Sequence, residues 1–149
     1  MGHRHWGRHG AAGLLVRDHR NGSAEPSVLL QHRAAWTANG DTWGVPGGAR
    51  DSHESTVEAA LREAGEETGI DPVAIRVFDE LVDDHGDGWT YTTVLADLVT
   101  EVRLVAQHES VELRWVPVAD VTHLPLHPGF SQTWPVLRTR VLQTPPVPR

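Results

Sequence analysis

Residues 54–70 read Glu54-Ser55-Thr56-Val57-Glu58-Ala59-Ala60-Leu61-Arg62-Glu63-Ala64-Gly65-Glu66-Glu67-Thr68-Gly69-Ile70. Ser55 followed three residues later by Glu58 is a capping-box pattern, which satisfies two orphan backbone N–H groups and marks a helix start. The spacing predicts a helix over 56–68 with Ser55 as N-cap. Gly69 is the natural residue just past its end, and Pro72 follows soon after. At about 100° per residue, Val57, Ala60, Leu61 and Ala64 form a core-facing stripe. Glu63, Glu66 and Glu67 share an arc of about 100° at one edge of that stripe. They are therefore expected where the helix meets the body of the protein. Like charges at helical spacing repel by a few tenths of a kcal/mol per pair, and Arg62 with the cap offsets only part of this. Two readings are open: a solvated acidic face, or ligands for a hard divalent cation. Mg²⁺ takes oxygen ligands and is usually held by carboxylates together with substrate phosphates.

Working outward, residues 10–16 and 28–32 read as strands, with Asn21-Gly22-Ser23 a turn between them. A loop from Ala34 to Asp41 leads to a short extended piece, 43–45, which stops at Pro46-Gly47-Gly48. Beyond the helix, strands are expected at 73–81, 90–99 and 112–118. The first two are joined by the Asp- and Gly-rich stretch 83–88, read as a hairpin turn without the spacing of a calcium loop. A last helix is expected over about 131–142 with Pro135 in its first turn, where a missing N–H costs little. Residues 1–9 read as a His-rich flexible arm and 143–149 as an extended Pro-rich tail. Strands flanking one early and one late helix predict an α/β (α+β) layered fold, with 1–149 as a single domain.

Composition removes several classes. The 149 residues carry 13 Lys+Arg, all of them Arg, against 20 Asp+Glu, for a net charge of −7. With no Cys there is no disulfide framework, thiolate zinc site or cysteine nucleophile. That fits a reducing compartment, and a cytoplasmic location is expected. No run of about 18 apolar residues is present, so no spanning helix is predicted. The N-terminus lacks the apolar segment of a secretory signal. The acidic balance argues against nucleic-acid binding, which rests on Lys and Arg neutralising phosphates.

The wider pattern favours the metal reading. Gly48 is followed by five residues and Glu54, then seven more lead to Arg62-Glu63-Ala64-Gly65-Glu66-Glu67-Thr68-Gly69-Ile70. This resembles the Nudix box, G-x5-E-x7-R-E-U-x-E-E-x-G-U, with every fixed identity filled and only Ala64 smaller than the usual aliphatic. Trp43-Gly44-Val45-Pro46-Gly47-Gly48 is similar to the strand and loop entering the box. The resemblance implies the Nudix fold, a mixed sheet sandwiched between helices, and hydrolysis of a nucleoside diphosphate linked to another moiety. The substrate would be a nucleoside triphosphate, as in MutT-like enzymes, or an ADP-sugar or dinucleoside polyphosphate.

By the same resemblance, Glu63, Glu66 and Glu67, with the backbone carbonyl of Gly47, would hold Mg²⁺, with Mn²⁺ as a substitute. Arg62 would orient the box carboxylates, and Glu54 would support the site through water or through Arg62. The general base would be a box Glu or a Glu in a loop before the late strand; Glu109 is the loop candidate and Glu112 its runner-up. Among other residues, Arg33 is either a phosphate contact or a surface arginine. Trp36, Trp43, Trp89 and Tyr91 either stack a nucleobase or pack in the core or at its rim. Trp115 and Trp134 are assigned to packing. A small-molecule nucleotide is the expected partner, with no membrane and, as family members often pair, a homodimer. The alternative from another class is a non-catalytic Nudix-fold module that senses a nucleotide.

Overall fold

The computed structural model describes residues 9–20, 25–84, 88–107 and 110–148. The expected N-terminal arm (but for His9), the Asn21-Gly22-Ser23 turn, the middle of the 83–88 stretch and Glu109 lie outside these residues. Seven strands form one mixed sheet: β1 (Ala11–Asp18), β2 (Ser27–Arg33), β3 (Trp43–Gly44), β4 (Gly47–Ala49), β5 (Ile75–Asp84), β6 (Thr90–Leu98) and β7 (Ser110–Pro117). The main path runs β3-β2-β1-β6-β5, with β4 on β1 and β7 on β2. β1 and β6 are parallel, and the other pairings are antiparallel.

One edge of β1 pairs with β6 along its length, and the other edge is shared between two strands. Its first half pairs with β4 (Gly13 opposite Gly47), while its last residues pair with β2 (Arg17 opposite Val28). Along that edge β1 changes partner between Gly13 and Arg17, and Gly47 and Gln31, from the two strands it pairs with there, both line the cleft described below.

Alternation along β1 sends Ala12, Leu14 and Val16 to one face and Leu15 to the other. The first face is covered by α1 (Thr56–Thr68) through Ala59, Ala60 and Ala64. The second is covered by α2 (Pro128–Gln143) through Phe130, Trp134, Leu137 and Val141. The expected sandwich of a mixed sheet between helices is the fold observed.

The predicted α1 is found from end to end. Glu58 N–H donates to Ser55 Oγ (3.0 Å), and Ser55 N–H donates to Glu58 Oε1 (2.9 Å). Gly69 closes the helix with φ of 75°, a left-handed geometry that favours glycine. Elsewhere the structure corrects the sequence reading. Pro135 sits inside α2, not in its first turn; the first-turn proline is Pro128, and the helix begins three residues earlier than expected. Its cap is His127, whose Nδ1 accepts from Gly129 N–H (3.1 Å). The strand expected from Val73 starts at Ile75, because Asp71 accepts from Val73 N–H (3.0 Å) and turns Pro72–Ala74 into a 3-10 segment. Within the stop read at Pro46-Gly47-Gly48, Gly47 and Gly48 pair with β1 as part of β4.

Candidate active site

The box carboxylates are organised by Arg62. Its Nε and Nη2 grip Glu54 at 2.7 and 3.0 Å, Nη1 reaches Glu63 Oε2 at 2.9 Å, and Nη2 also donates to the Ala49 carbonyl at 3.0 Å. Glu66 lies 3.5 Å from the same guanidinium. This planar fork fits a carboxylate on two parallel bonds. The hydrogen bonds from Arg62, with one from Asp51 N–H, hold Glu54 ionised with a pKa lowered to about 2. Glu54 and Glu63 in turn push the arginine further up.

Glu67 is in a different situation. Burial, together with a hydrogen bond shared with Glu63, raises its pKa to about 8. An enclosed carboxyl beside a second carboxylate favours its neutral form, and a nearby cation reverses that preference. The Gln31 side-chain amide and the Gly47 backbone N–H favour the charged form of Glu67 and offset part of that rise. The fit of this pair to the chain is close. A Cβ on Gly48 would sit 2.3 Å from the Glu63 carboxyl carbon, so only glycine leaves that carboxyl its place.

Glu66 differs from its two neighbours. Its side chain is 52% exposed against 16% for Glu63, so it stands at the rim. Among the described residues there is no ready-made group of three His, Asp or Glu ligands. Glu63 and Glu67 could serve a hard cation as two carboxylate ligands, leaving substrate phosphates to supply further oxygens, the usual situation for Mg²⁺.

These three glutamates open into a cleft of about 920 Å³, also lined by Gln31, Arg33, Trp36 and Gly47. A second chamber of about 540 Å³ adjoins it, walled by Trp89, Tyr91 and Phe130 with Asp83 and Thr133 among its polar groups. Arg33, Gly47 and His127 line both compartments and so form the passage between them.

Of the expected site residues, Gly47, Glu63, Glu66, Glu67 and Arg33 meet in the cleft, Arg62 and Glu54 brace it, and Trp89 faces the adjoining chamber. Trp43 lines neither compartment. It is buried, stacked on His32 at 4.8 Å with the Arg114 guanidinium 4.6 Å from its ring, so the packing role is the one observed. Glu112 is exposed and paired with Arg114 (3.1 Å), away from the cleft lining.

Glu109 lies outside the described residues, but its flanks are fixed. Gln107 N–H donates to the Glu67 carbonyl (3.1 Å), and Ser110 Oγ donates to the Gln31 side-chain carbonyl. Sequence reading missed Gln31 and His127. Gln31 reads as an ordinary polar position on a strand. His127 carried a usable signal, since it directly precedes Pro128-Gly129, as a cap before a first-turn proline does.

Comparison with known proteins agrees with this geometry. The NUDIX domain family matches residues 7–138. A Mycobacterium tuberculosis protein provisionally named 8-oxo-dGTP diphosphatase 3 is 49% identical over 146 residues, covering 95% of this chain and 67% of the relative. A Bifidobacterium longum nucleoside triphosphate pyrophosphatase/Nudix hydrolase fusion protein is 43% identical over 94% of this chain, which spans only 30% of that protein. Among solved structures, the Nudix hydrolase RenU from M. smegmatis superposes with a TM-score of 0.90 at 46% identity, covering 99% of this chain and 94% of the other. The box from Gly48 to Ile70, the fold around it and these relatives agree: the chain belongs to the Nudix hydrolases, enzymes that cleave pyrophosphate linkages.

Proposed function

We propose that this chain is a Mg²⁺-dependent pyrophosphohydrolase acting on a nucleoside diphosphate linked to a further group, with nucleoside triphosphates the first class to test. The observation that carries the reading is the placement of Glu63 and Glu67 together on the wall of a cleft also lined by Arg33, with Arg62 bracing Glu63. Relatives named for 8-oxo-dGTP and nucleoside triphosphate substrates support the triphosphate choice. No finding favours the nucleotide-sensing alternative.

The residues divide the work. Glu63 and Glu67 would hold the ion, with Glu66 and the Gly47 carbonyl as further oxygens. Arg33 would meet a phosphate from the other side. A bound divalent ion supplies neutralisation of phosphate charge and makes a water easier to deprotonate. Glu109, between the anchored Gln107 and Ser110, is the proposed base that takes the proton. Water adds across the P–O–P linkage and one P–O bond breaks, giving a nucleoside monophosphate and the remainder.

The test is a panel of nucleoside triphosphates and diphosphate derivatives with Mg²⁺, scored by product identity for wild type and Glu67→Gln. The substitution removes one charge at nearly constant shape. Turnover is expected to fall by orders of magnitude with the helical circular dichroism unchanged. Near-normal turnover of the variant would overturn the metal assignment.

A further inference from the structure

Trp36 is 73% exposed, the most exposed of the large hydrophobic residues described. A solvent-facing indole is unusual, and its support is more so. The loop from Ala34 to Thr42 is tied at both ends by Arg33 N–H to the Thr42 carbonyl (2.8 Å) and Asp41 N–H to the Arg33 carbonyl (2.9 Å). Inside it, Thr37 donates twice to the Ala34 carbonyl, Thr42 Oγ1 donates to the Asn39 carbonyl, and Arg33 Nε donates to the Ala38 carbonyl at 3.1 Å. Asn39 and Asp41 both adopt left-handed backbone, with φ of 55° and 61°. A loop built at that conformational expense is a pedestal, and it presents the indole on the wall of the cleft that holds Glu63, Glu66 and Glu67.

The adjoining chamber already offers an aromatic site. At about 540 Å³, with Trp89, Tyr91 and Phe130 beside Asp83 and Thr133, it has the size and lining of a nucleoside pocket. A nucleotide seated there sends its phosphates past Arg33, Gly47 and His127 to the carboxylates. The far end of the phosphate chain then emerges in the compartment that Trp36 walls, and Trp36 does not line the chamber.

From this arrangement, which rests on the function proposed above, we infer that Trp36 is a second ring-binding position. The enzyme would then favour polyphosphates carrying an aromatic ring at each end over those carrying one. An indole stacks any base, because every base has a π-face.

The experiment compares adenosine 5′-tetraphosphate with diadenosine tetraphosphate, which differ only by the second adenosine, in wild type, Trp36→Ala and Trp36→Phe with saturating Mg²⁺. In wild type, kcat/KM should be higher for the two-ring substrate. In Trp36→Ala, the two-ring over one-ring ratio should fall about tenfold, toward the lower end of what losing one stacked base costs, and the change should lie in KM. Trp36→Phe, which keeps a π-face, should restore most of the ratio. A ratio unchanged in Trp36→Ala overturns the inference, whether both substrates weaken together or neither does. Turnover of triphosphates without any two-ring preference in wild type also overturns it while leaving the proposed function standing. Failure of wild type to cleave any of these nucleotides overturns the proposed function itself.

Discussion

At the residue scale, Arg62 and Gln31 each set the state of one carboxylate. Arg62 keeps Glu54 ionised, and the sign of that effect is testable. A carboxyl whose pKa is lowered on folding, here to about 2 from an ordinary 4.5, contributes stability above the ordinary value. That contribution is lost as pH falls toward 2. Glu54→Gln should therefore be less stable than wild type at neutral pH, and the gap should narrow between about pH 4.5 and 2. Melting temperatures across that range decide it, and a gap that stays constant would show that the Glu54 charge is not what matters. Gln31 acts from the other side: its amide donates to the Val45 carbonyl at 3.4 Å and favours the charged form of Glu67, while its carbonyl accepts from Ser110. Gln31→Leu removes these polar contacts at similar volume. It should raise the Mg²⁺ concentration needed for half-maximal activity, because Glu67 loses a neighbour that favours its charged form. Gln31→Asn, which keeps the amide but retracts it, should fall between the two. An unchanged metal titration would confine Gln31 to a packing role.

At the element scale, the site depends on how closely α1 lies against β4. On the helical wheel Ala59 falls inside the arc of the three glutamates, and it is fully buried. The stripe of Val57, Ala60, Leu61 and Ala64 did not include it, because a single apolar residue among acids reads as noise without the strand it faces. The same ignorance of partners hid β4, a three-residue strand of Gly47, Gly48 and Ala49 with little side chain to signal it. By contrast α1 was legible to the residue, since its cap, stripe and terminating glycine are all local in sequence. That Glu63, Glu66 and Glu67 would lie on one side of the helix was legible too, and they line one cleft. What sequence could not give was the inequality among Glu63, Glu66 and Glu67, because that comes from tertiary enclosure. Gly48→Ala probes this enclosure directly. Its Cβ would meet only the flexible end of Glu63, so the side chain can swing aside with little loss of stability. A melting temperature within a few degrees of wild type, with turnover reduced at least tenfold, is the expected pair of results. Wild-type turnover would mean that the Glu63 position seen here is not the working one.

At the scale of the whole molecule, β1 joins two regions that do different jobs. Its Gly13 end pairs with β4 beside the carboxylates, and its Arg17 end, roughly 13 Å along the strand, is buried under α2. Arg17 holds Asp97 through Nε at 2.5 Å and Nη2 at 2.6 Å. Its remaining donors reach the carbonyls of Val141, Thr144 and Pro145, and Phe78 lies under its face at 4.1 Å. All five guanidinium N–H groups are thus used. Val147 N–H adds a bond to Asp97 at 2.9 Å, so the tail read as merely extended is fastened to the sheet by a buried ion pair. Such a pair is weak evidence for net stability, because desolvation opposes the attraction, yet removing one partner leaves a buried charge uncompensated. Arg17→Met should therefore cost about 3–5 kcal/mol. Arg17→Met combined with Asp97→Leu should recover much of that loss, even though it removes more polar contacts. Urea denaturation of the two variants separates the accounts. If the double variant is as unstable as the single one, the tail carbonyls rather than the ion pair carry the effect. In either case KM for the nucleotide should hold near wild type while the protein stays folded, because the strand end that changes is remote from the one that carries the cleft.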